Sequence, residues 1–159
     1  INGVGAGFEG AVAKALSSGK KLPGKTSYLL TILRKIFTYR SRHFTILTGD
    51  KVITGKKLLV DISNGRRAGG GFHIAPEASA EDGLLDLVIA SSLTSIRRLF
   101  YLPVIEKGKH LGLSIITHLQ VKSVKILSLE PIQYHLDGEY AEAAALDIQI
   151  KEQAFLFRY

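Results

Sequence analysis

At 159 residues with 46% apolar side chains, the chain is long and apolar enough for one folded domain with a real core, which excludes a disordered polypeptide. No apolar run reaches the length of a bilayer span, and no basic start followed by an apolar signal segment opens the chain. The absence of Cys excludes disulfides, thiolate-held zinc and a Cys nucleophile, and agrees with a cytoplasmic location.

The net charge of +7 is one-sided. Up to Arg42 there are eight Lys or Arg (Lys14, Lys20, Lys21, Lys25, Arg34, Lys35, Arg40, Arg42) against Glu9 alone; the remainder carries thirteen basic and thirteen acidic residues. Such a region suits an anionic partner (a membrane surface, nucleotide phosphates or nucleic acid) and equally suits a solubilising face.

Ile1 to Gly7 reads as the middle of a strand, and with no initiator Met the chain is expected to be a piece whose N-terminal neighbour is missing. Phe8 to Leu16 carries a short helical pattern through Phe8, Val12 and Ala15, and Ser17 to Lys25 reads as a basic loop. Thr26 to Tyr39 is the clearest helix, with Tyr28, Leu29, Ile32, Leu33, Ile36 and Phe37 on one stripe and Thr26 or Ser27 as caps. Packing on a sheet is favoured for it over lying on a membrane. Phe44–Thr48, Val52–Thr54 and Lys57–Ile62 follow as strands, with turns at Gly49-Asp50 and Gly55.

Ser63 to Leu87 then holds three consecutive glycines, Gly69 to Gly71, and an acidic run from Glu77 to Asp82. A loop this long inside a compact domain points to function. Leu84–Ser91 reads as a buried strand. Thr94 is placed to cap a helix from Ser95 towards Lys107, which Pro103 is expected to kink or split. Strands follow at Val121–Ser128 and Gln133–Leu136, then the Asp137-Gly138 hairpin turn, then Leu146–Ile150 and Phe155–Phe157. Eight or so strands with two or three helices predict an antiparallel β-sandwich decorated by helices, mainly β with some helix.

The motifs taken singly are weak. The glycines match neither G-x-x-x-x-G-K-[ST] nor G-x-G-x-x-G. Glu77, Glu81, Asp82 and Asp86 are oxygen donors of the kind Mg²⁺ accepts, and are also an ordinary solvated turn. The five histidines (His43, His73, His110, His118, His135) have no metal spacing, no serine lies in a G-x-S-x-G elbow, and no nucleic-acid-binding pattern occurs.

Six short pieces nevertheless stand in order. They are N-x-x-x-x-G-F-E at Asn2–Glu9, G-K-x-x-Y-L-L at Gly24–Leu30, S-N-G-R-x-x-G-G-G at Ser63–Gly71, I-A-P-E-A at Ile74–Ala78, D-G-L-L-D-L-V at Asp82–Val88 and L-D-G-E at Leu136–Glu139. Together they resemble the C-terminal domain of the diacylglycerol kinase and sphingosine kinase superfamily, most closely the bacterial soluble lipid kinases, over essentially the whole chain.

The resemblance implies a β-sandwich that holds a lipid in an apolar cleft, facing an N-terminal domain whose G-G-D-G-T motif binds ATP. The implied reaction is Mg²⁺-dependent transfer of the ATP γ-phosphoryl group to a lipid hydroxyl, of a diacylglycerol or a sphingoid-type lipid. It implies a structural Mg²⁺ held by the Asp82 side chain and the backbone carbonyls of Ser79 and Leu84. It implies Glu139 as proton acceptor, a role that sphingosine kinases assign instead to the Asp of G-G-D-G-T, with Gly138 and Glu139 towards the ATP. Glu9 stands where many members have Asp. G-G-D-G-T is absent here, so this chain alone is expected to be inactive. A peripheral position on an anionic membrane and pairing of two copies through a strand edge are further expectations. The rival readings are a non-catalytic lipid- or protein-binding sandwich and a kinase for another hydroxylated substrate.

Overall fold

The computed structural model describes residues 1–18, 25–68 and 71–151. In chain order the elements are β1 (Gly3–Gly7), α1 (Phe8–Ser18), α2 (Lys25–Thr38), β2 (Arg42–Thr48), β3 (Lys51–Ser63), β4 (Leu85–Ser91), α3 (Ser95–Glu106), β5 (Ile116–Val121), β6 (Ser123–Leu136) and β7 (Glu139–Gln149). All strands pair antiparallel in one sheet. Its lanes run β7, β6, a shared lane, β3, β4, β5. In the shared lane β2 pairs with Lys51–Lys57 of β3 and β1 with Leu59–Ser63, while β6 flanks both on the other side.

Strand alternation sends Val4, Phe44, Ile46, Val60, Ile62, Leu87, Ile89, Ile126, Ile132 and Leu146 to one side, where they form a single buried cluster. Residues of β4 and β7, four lanes apart, share that cluster, so the sheet curls over until its two halves face each other. This is the β-sandwich the sequence predicts. The opposite face carries the helices and the Ser63–Leu84 loop.

Four local expectations need correction. Gly55 is not a turn: β3 runs unbroken from Lys51 to Ser63, and Gly55 sits in register with Phe44 at φ +119. Pro103 does not split its helix, because it falls in the last turn of α3; Thr94 takes the N-cap position without a side-chain cap bond. The two strands expected between Val121 and Leu136 are one, β6. Pro131, which has no N–H to give the ladder, lies in the stretch between Leu127 and Ile132 where pairing to β7 shifts register. β7 also begins earlier than Leu146, because Ala141, Ala143 and Ala145 hide its alternation. Phe155–Phe157, Lys20, Lys21, Gly69 and Gly70 lie outside the described residues.

α2 uses only part of its apolar stripe. Ile32 and Ile36 are buried, whereas Leu29, Leu30 and Phe37 are exposed. Arg98 of α3 ties the helices together: its buried guanidinium donates to the carbonyls of Leu93, Ile36 and Tyr39 at 2.7–3.1 Å and lies over the Tyr39 ring.

Candidate functional site

Between the helices and the outer face of the sheet lies a cleft of about 970 Å³, counted to its open mouth. Its wall is apolar: Phe8, Val12 and Leu16 from α1, Ile32 and Ile36 from α2, Leu102 and Ile105 from α3, Leu58 and Leu59 from β3, and Phe72 and Ile74 from the loop. The Ala68 N–H donates to the Phe72 carbonyl and the Gly71 N–H to the Ala68 carbonyl, and Gly71, at φ +90, precedes the Phe72 ring on the wall. Glycine suits that positive φ.

At one end of this cleft the motifs meet. The Asn2 carbonyl accepts N–H bonds from Asn64 and Gly65, and its amide donates to the Arg67 carbonyl at 2.8 Å. A Cβ on Gly65 would lie 1.9 Å from Asn2 Oδ1, so a side chain there would displace the Asn2 amide. The Asp137 carboxylate accepts N–H bonds from Asn2 and Gly3 at 2.8–3.1 Å, and the Asp137 N–H donates to the Gly3 carbonyl. The first, third and last motifs are thus fastened to one another. Arg66 reaches the Ala78 carbonyl at 3.1 Å, and His110 donates through Nε2 to the Ile74 carbonyl at 2.9 Å, which fixes the I-A-P-E-A segment.

Beneath that junction lies a buried acidic group. Gly5, Asp61 and His135 are cross-strand neighbours on the outer face of the sheet, and Glu9, in the first turn of α1, lies over Gly5. A Cβ on Gly5 would lie 1.8 Å from Glu9 Oε2 and 2.4 Å from His135 Nε2, so the glycine makes the space in which those side chains meet. His135 Nε2 is 3.4 Å from Glu9 Oε2, while its Nδ1 accepts the Gly138 N–H at 3.3 Å. Asp61 is fully buried and accepts the Ser63 hydroxyl at 2.6 Å. Burial pushes the Asp61 carboxyl well above the usual carboxylate range, the adjacent Glu9 charge pushes it the same way, and the Ser63 bond opposes them. At His135 burial lowers the pKa, but the Glu9 bond and charge outweigh it and the net direction is upward.

A pH dependence follows from Asp61. The folded chain keeps a proton there that the unfolded chain releases above the ordinary value of 3.8. The Asp61 contribution to stability is therefore complete below that pH and is lost as pH rises towards the higher folded value. Asp61→Asn, neutral throughout, is expected to flatten this decline, so its melting temperature gains on the native chain as pH rises above the ordinary value of 3.8. Parallel melting curves for the two would show that Asp61 holds no such proton.

The predicted site residues are distributed around this end. Gly138 lines the cleft, and Glu139 follows it on the hairpin, exposed and with no hydrogen bond or ion pair among the described residues. The predicted metal ligands lie on the loop before β4. There Asp82 Oδ1 accepts the Leu84 N–H at 2.9 Å, Ser79 Oγ accepts the Glu81 N–H at 3.4 Å, and Gly83 takes φ +71. Asp82 Oδ2 and the Ser79 and Leu84 carbonyls are oxygen donors of the kind a hard cation such as Mg²⁺ accepts. Among the described residues no three His, Asp or Glu side chains converge as a metal group, so carbonyls and water would complete such a site. The acids near it separate: Asp86 is fully buried and bonded to His118 Nε2 at 2.6 Å, and Glu77 is largely exposed, 3.7 Å from the same ring.

Sequence reading passed over Asp61 and His135. A lone acid inside the apolar run Leu58–Ile62 is the one signal that marked Asp61; nothing local marked His135.

Residues 2–156 match the family model described as the YegS C-terminal NAD kinase beta sandwich-like domain. A diacylglycerol kinase of Mycobacterium tuberculosis is 30% identical over 85% of this chain and 44% of its own length. A Xanthomonas campestris protein named "Probable lipid kinase YegS-like" is 31% identical over 84% of this chain and 44% of its own. A solved Bacillus anthracis structure superposes with a TM-score of 0.70 at 23% identity, covering 96% of this chain and 49% of that one, a likeness of fold. The chain thus spans less than half the length of these relatives. With the motifs, the sandwich and the match over residues 2–156 in agreement, the chain belongs to the YegS C-terminal domain family, the C-terminal part of diacylglycerol kinase and YegS-like lipid kinases.

Proposed function

We propose that this chain is the lipid-holding part of an ATP-dependent lipid kinase that phosphorylates a lipid hydroxyl. The observation that carries the reading is the apolar cleft, which ends beside the L-D-G-E hairpin. A cleft lined so largely by apolar side chains suits acyl chains, and its polar end suits the head that reacts. Phosphoryl transfer needs positioning and charge stabilisation more than covalent help from the protein, so a wall, an acid and a cation site are an adequate contribution from one domain. In this reading Glu139 accepts the proton of the lipid hydroxyl, and Gly138 and Glu139 face the ATP. Asp82, with the Ser79 and Leu84 carbonyls, holds Mg²⁺, which stiffens the loop ahead of β4. ATP is bound by a partner domain outside this chain, and this chain alone is inactive.

The exposed Leu29, Leu30 and Phe37 of α2, with Arg34 and Lys35 on the same helix, support peripheral contact with an anionic membrane, from which the substrate is drawn. Among the described residues no helix is long and apolar enough to cross a membrane.

The test is the full-length protein incubated with ATP, Mg²⁺ and a panel of diacylglycerols and sphingoid bases. Phosphorylated lipid is expected, with loss of product on chelation of Mg²⁺. No product across the panel would overturn the reading.

A further inference from the structure

We infer that α3, through Ile96, Leu99 and Phe100, is the membrane-inserting element of the domain, and that its outward face joins that of α2 in one surface seated on an anionic bilayer. This rests on the lipid-kinase reading and deepens it by naming the surface that holds the domain against the membrane.

α3 is apolar on both sides. Towards the protein, Leu102 and Ile105 line the cleft, and Tyr101 packs against the Leu58, Leu59, Ala90 and Leu93 cluster. Away from it stand Ile96, Leu99 and Phe100, at the i, i+3, i+4 spacing of one helix face. Phe100 is 73% exposed and Ile96 66%. A helix that only covers a sheet keeps its outer face polar. α2 repeats the pattern: Ile32 and Ile36 are buried, while Leu30 is 62% and Phe37 61% exposed. Among the described residues, six of the eleven exposed large hydrophobics belong to these two helices. The exposed apolar surface is therefore concentrated, as it is at interaction sites.

The two helices form one unit. Ile32, Ile36, Leu102 and Ile105 share a cluster beneath them, and the Arg98 guanidinium of α3 donates to the Ile36 and Tyr39 carbonyls.

Charge selects the occupant. α2 has no acid and carries Arg34 and Lys35; Arg97 stands exposed on α3, whose one acid, Glu106, is its last residue. Arg34, Lys35 and Arg97 form no ion pair among the described residues. Apolar side chains rimmed by uncommitted cations fit a bilayer with anionic headgroups. A second copy fits worse, because two-fold pairing sets like charges against each other. In the lipid-kinase reading the ATP-binding domain faces the L-D-G-E hairpin, which joins β6 to β7 at one edge of the sheet. α3 lies towards the other edge, over β3, β4 and β5.

The same helices wall the cleft from within. A lipid drawn from the bilayer thus moves between apolar surfaces on the two sides of one helical layer, and its chains need not enter water.

The experiment uses the full-length protein and its Phe100→Ser, Ile96→Ser and Leu129→Ser variants, each checked for folding by thermal melting. Leu129, fully exposed on β6, is the control. Binding without ATP is measured by flotation with phosphatidylcholine vesicles, pure or mixed with phosphatidylglycerol. Hydrogen exchange of α3 is followed with and without vesicles, and sedimentation velocity without them. Native protein is expected to prefer the mixed vesicles, with added salt removing the preference. Phe100→Ser and Ile96→Ser are expected to weaken binding about tenfold, and Leu129→Ser to leave it native. Turnover of dioleoylglycerol in vesicles should fall with binding, while turnover of dihexanoylglycerol in solution holds. Native vesicle binding by folded Phe100→Ser and Ile96→Ser proteins would overturn the surface and leave the kinase reading standing. So would α3 amides equally protected with and without vesicles, or a vesicle-free dimer that Phe100→Ser dissociates. Phe100-dependent vesicle binding with no phosphorylation of any lipid would overturn the kinase reading and leave the surface standing.

Discussion

Gly10→Ala is expected to destabilise the protein by about 3 kcal/mol, at the upper end of what overpacking costs. The direction runs against helix propensity, since alanine in a helix interior is favoured over glycine by about 1 kcal/mol. Steric contact decides the sign. A Cβ at residue 10 would lie 2.1 Å from the Gln133 carbonyl oxygen, 2.3 Å from its carbon and 2.6 Å from the Tyr134 nitrogen. All three are backbone atoms of β6, so no rotamer change relieves them. Gln133 and Tyr134 pair with Glu142 and Ala141 of β7, and Tyr134 also pairs with Ala6 of β1, so β6 is held from both sides. The helix must therefore lift, which loosens Val12 from Ile32, Ile36 and Phe72 and shifts Glu9 off Gly5. Urea denaturation of Gly10→Ala beside Gly112→Ala provides the check. Residue 112 has open space around it, and its variant is expected to stay within about 0.5 kcal/mol of the native chain. Equal stability of both variants would mean that α1 does not sit down on β6.

The seating of α1 also shows how far the sequence could be read. Elements with strong periodicity were legible: α2 from its Tyr28-to-Phe37 stripe, β4 from its unbroken apolar run, the Asp137-Gly138 hairpin from its dipeptide. β1 was legible as a strand although its outer face is all glycine, with Ser63 over Gly3, Glu9 and His135 over Gly5 and Tyr39 over Gly7. The start of β7 was illegible because small residues replace its pattern: it hides behind alanines. Gly55 and Pro103 misled because their meaning depends on position: one lies inside a paired strand, the other in the final turn of a helix that runs on through it.

The site was legible as motifs and illegible as an assembly. That Asn2, Asn64 and Asp137 fasten three distant segments together, or that Asp61 lies under Glu9, is long-range information held in sheet register rather than in any window of sequence. The glycine loop illustrates the same limit. Its glycines matched no phosphate-binding pattern, and its described part forms an apolar wall because Phe72 and Ile74 follow directly after it.

Glu139→Gln in the full-length protein is expected to lower kcat by about a hundredfold or more, within the range that positioned general bases contribute. Three features support so large an effect. The hairpin is rigid: Asp137 at φ 49 and Gly138 at φ 94 form the turn, and the Asp137 carboxylate pins it to the Asn2 and Gly3 amides. Glu139 itself is unengaged among the described residues, so its carboxylate is available to a hydroxyl. Its neighbour Gly138 forms part of the cleft wall, which sets the acid at the rim where a lipid head would meet an incoming phosphoryl group. Glutamine keeps the shape and removes the base, so KM for the lipid should hold while kcat falls. Native kcat in Glu139→Gln would mean that the proton acceptor lies on the partner domain and that the hairpin serves only to hold the head group in place.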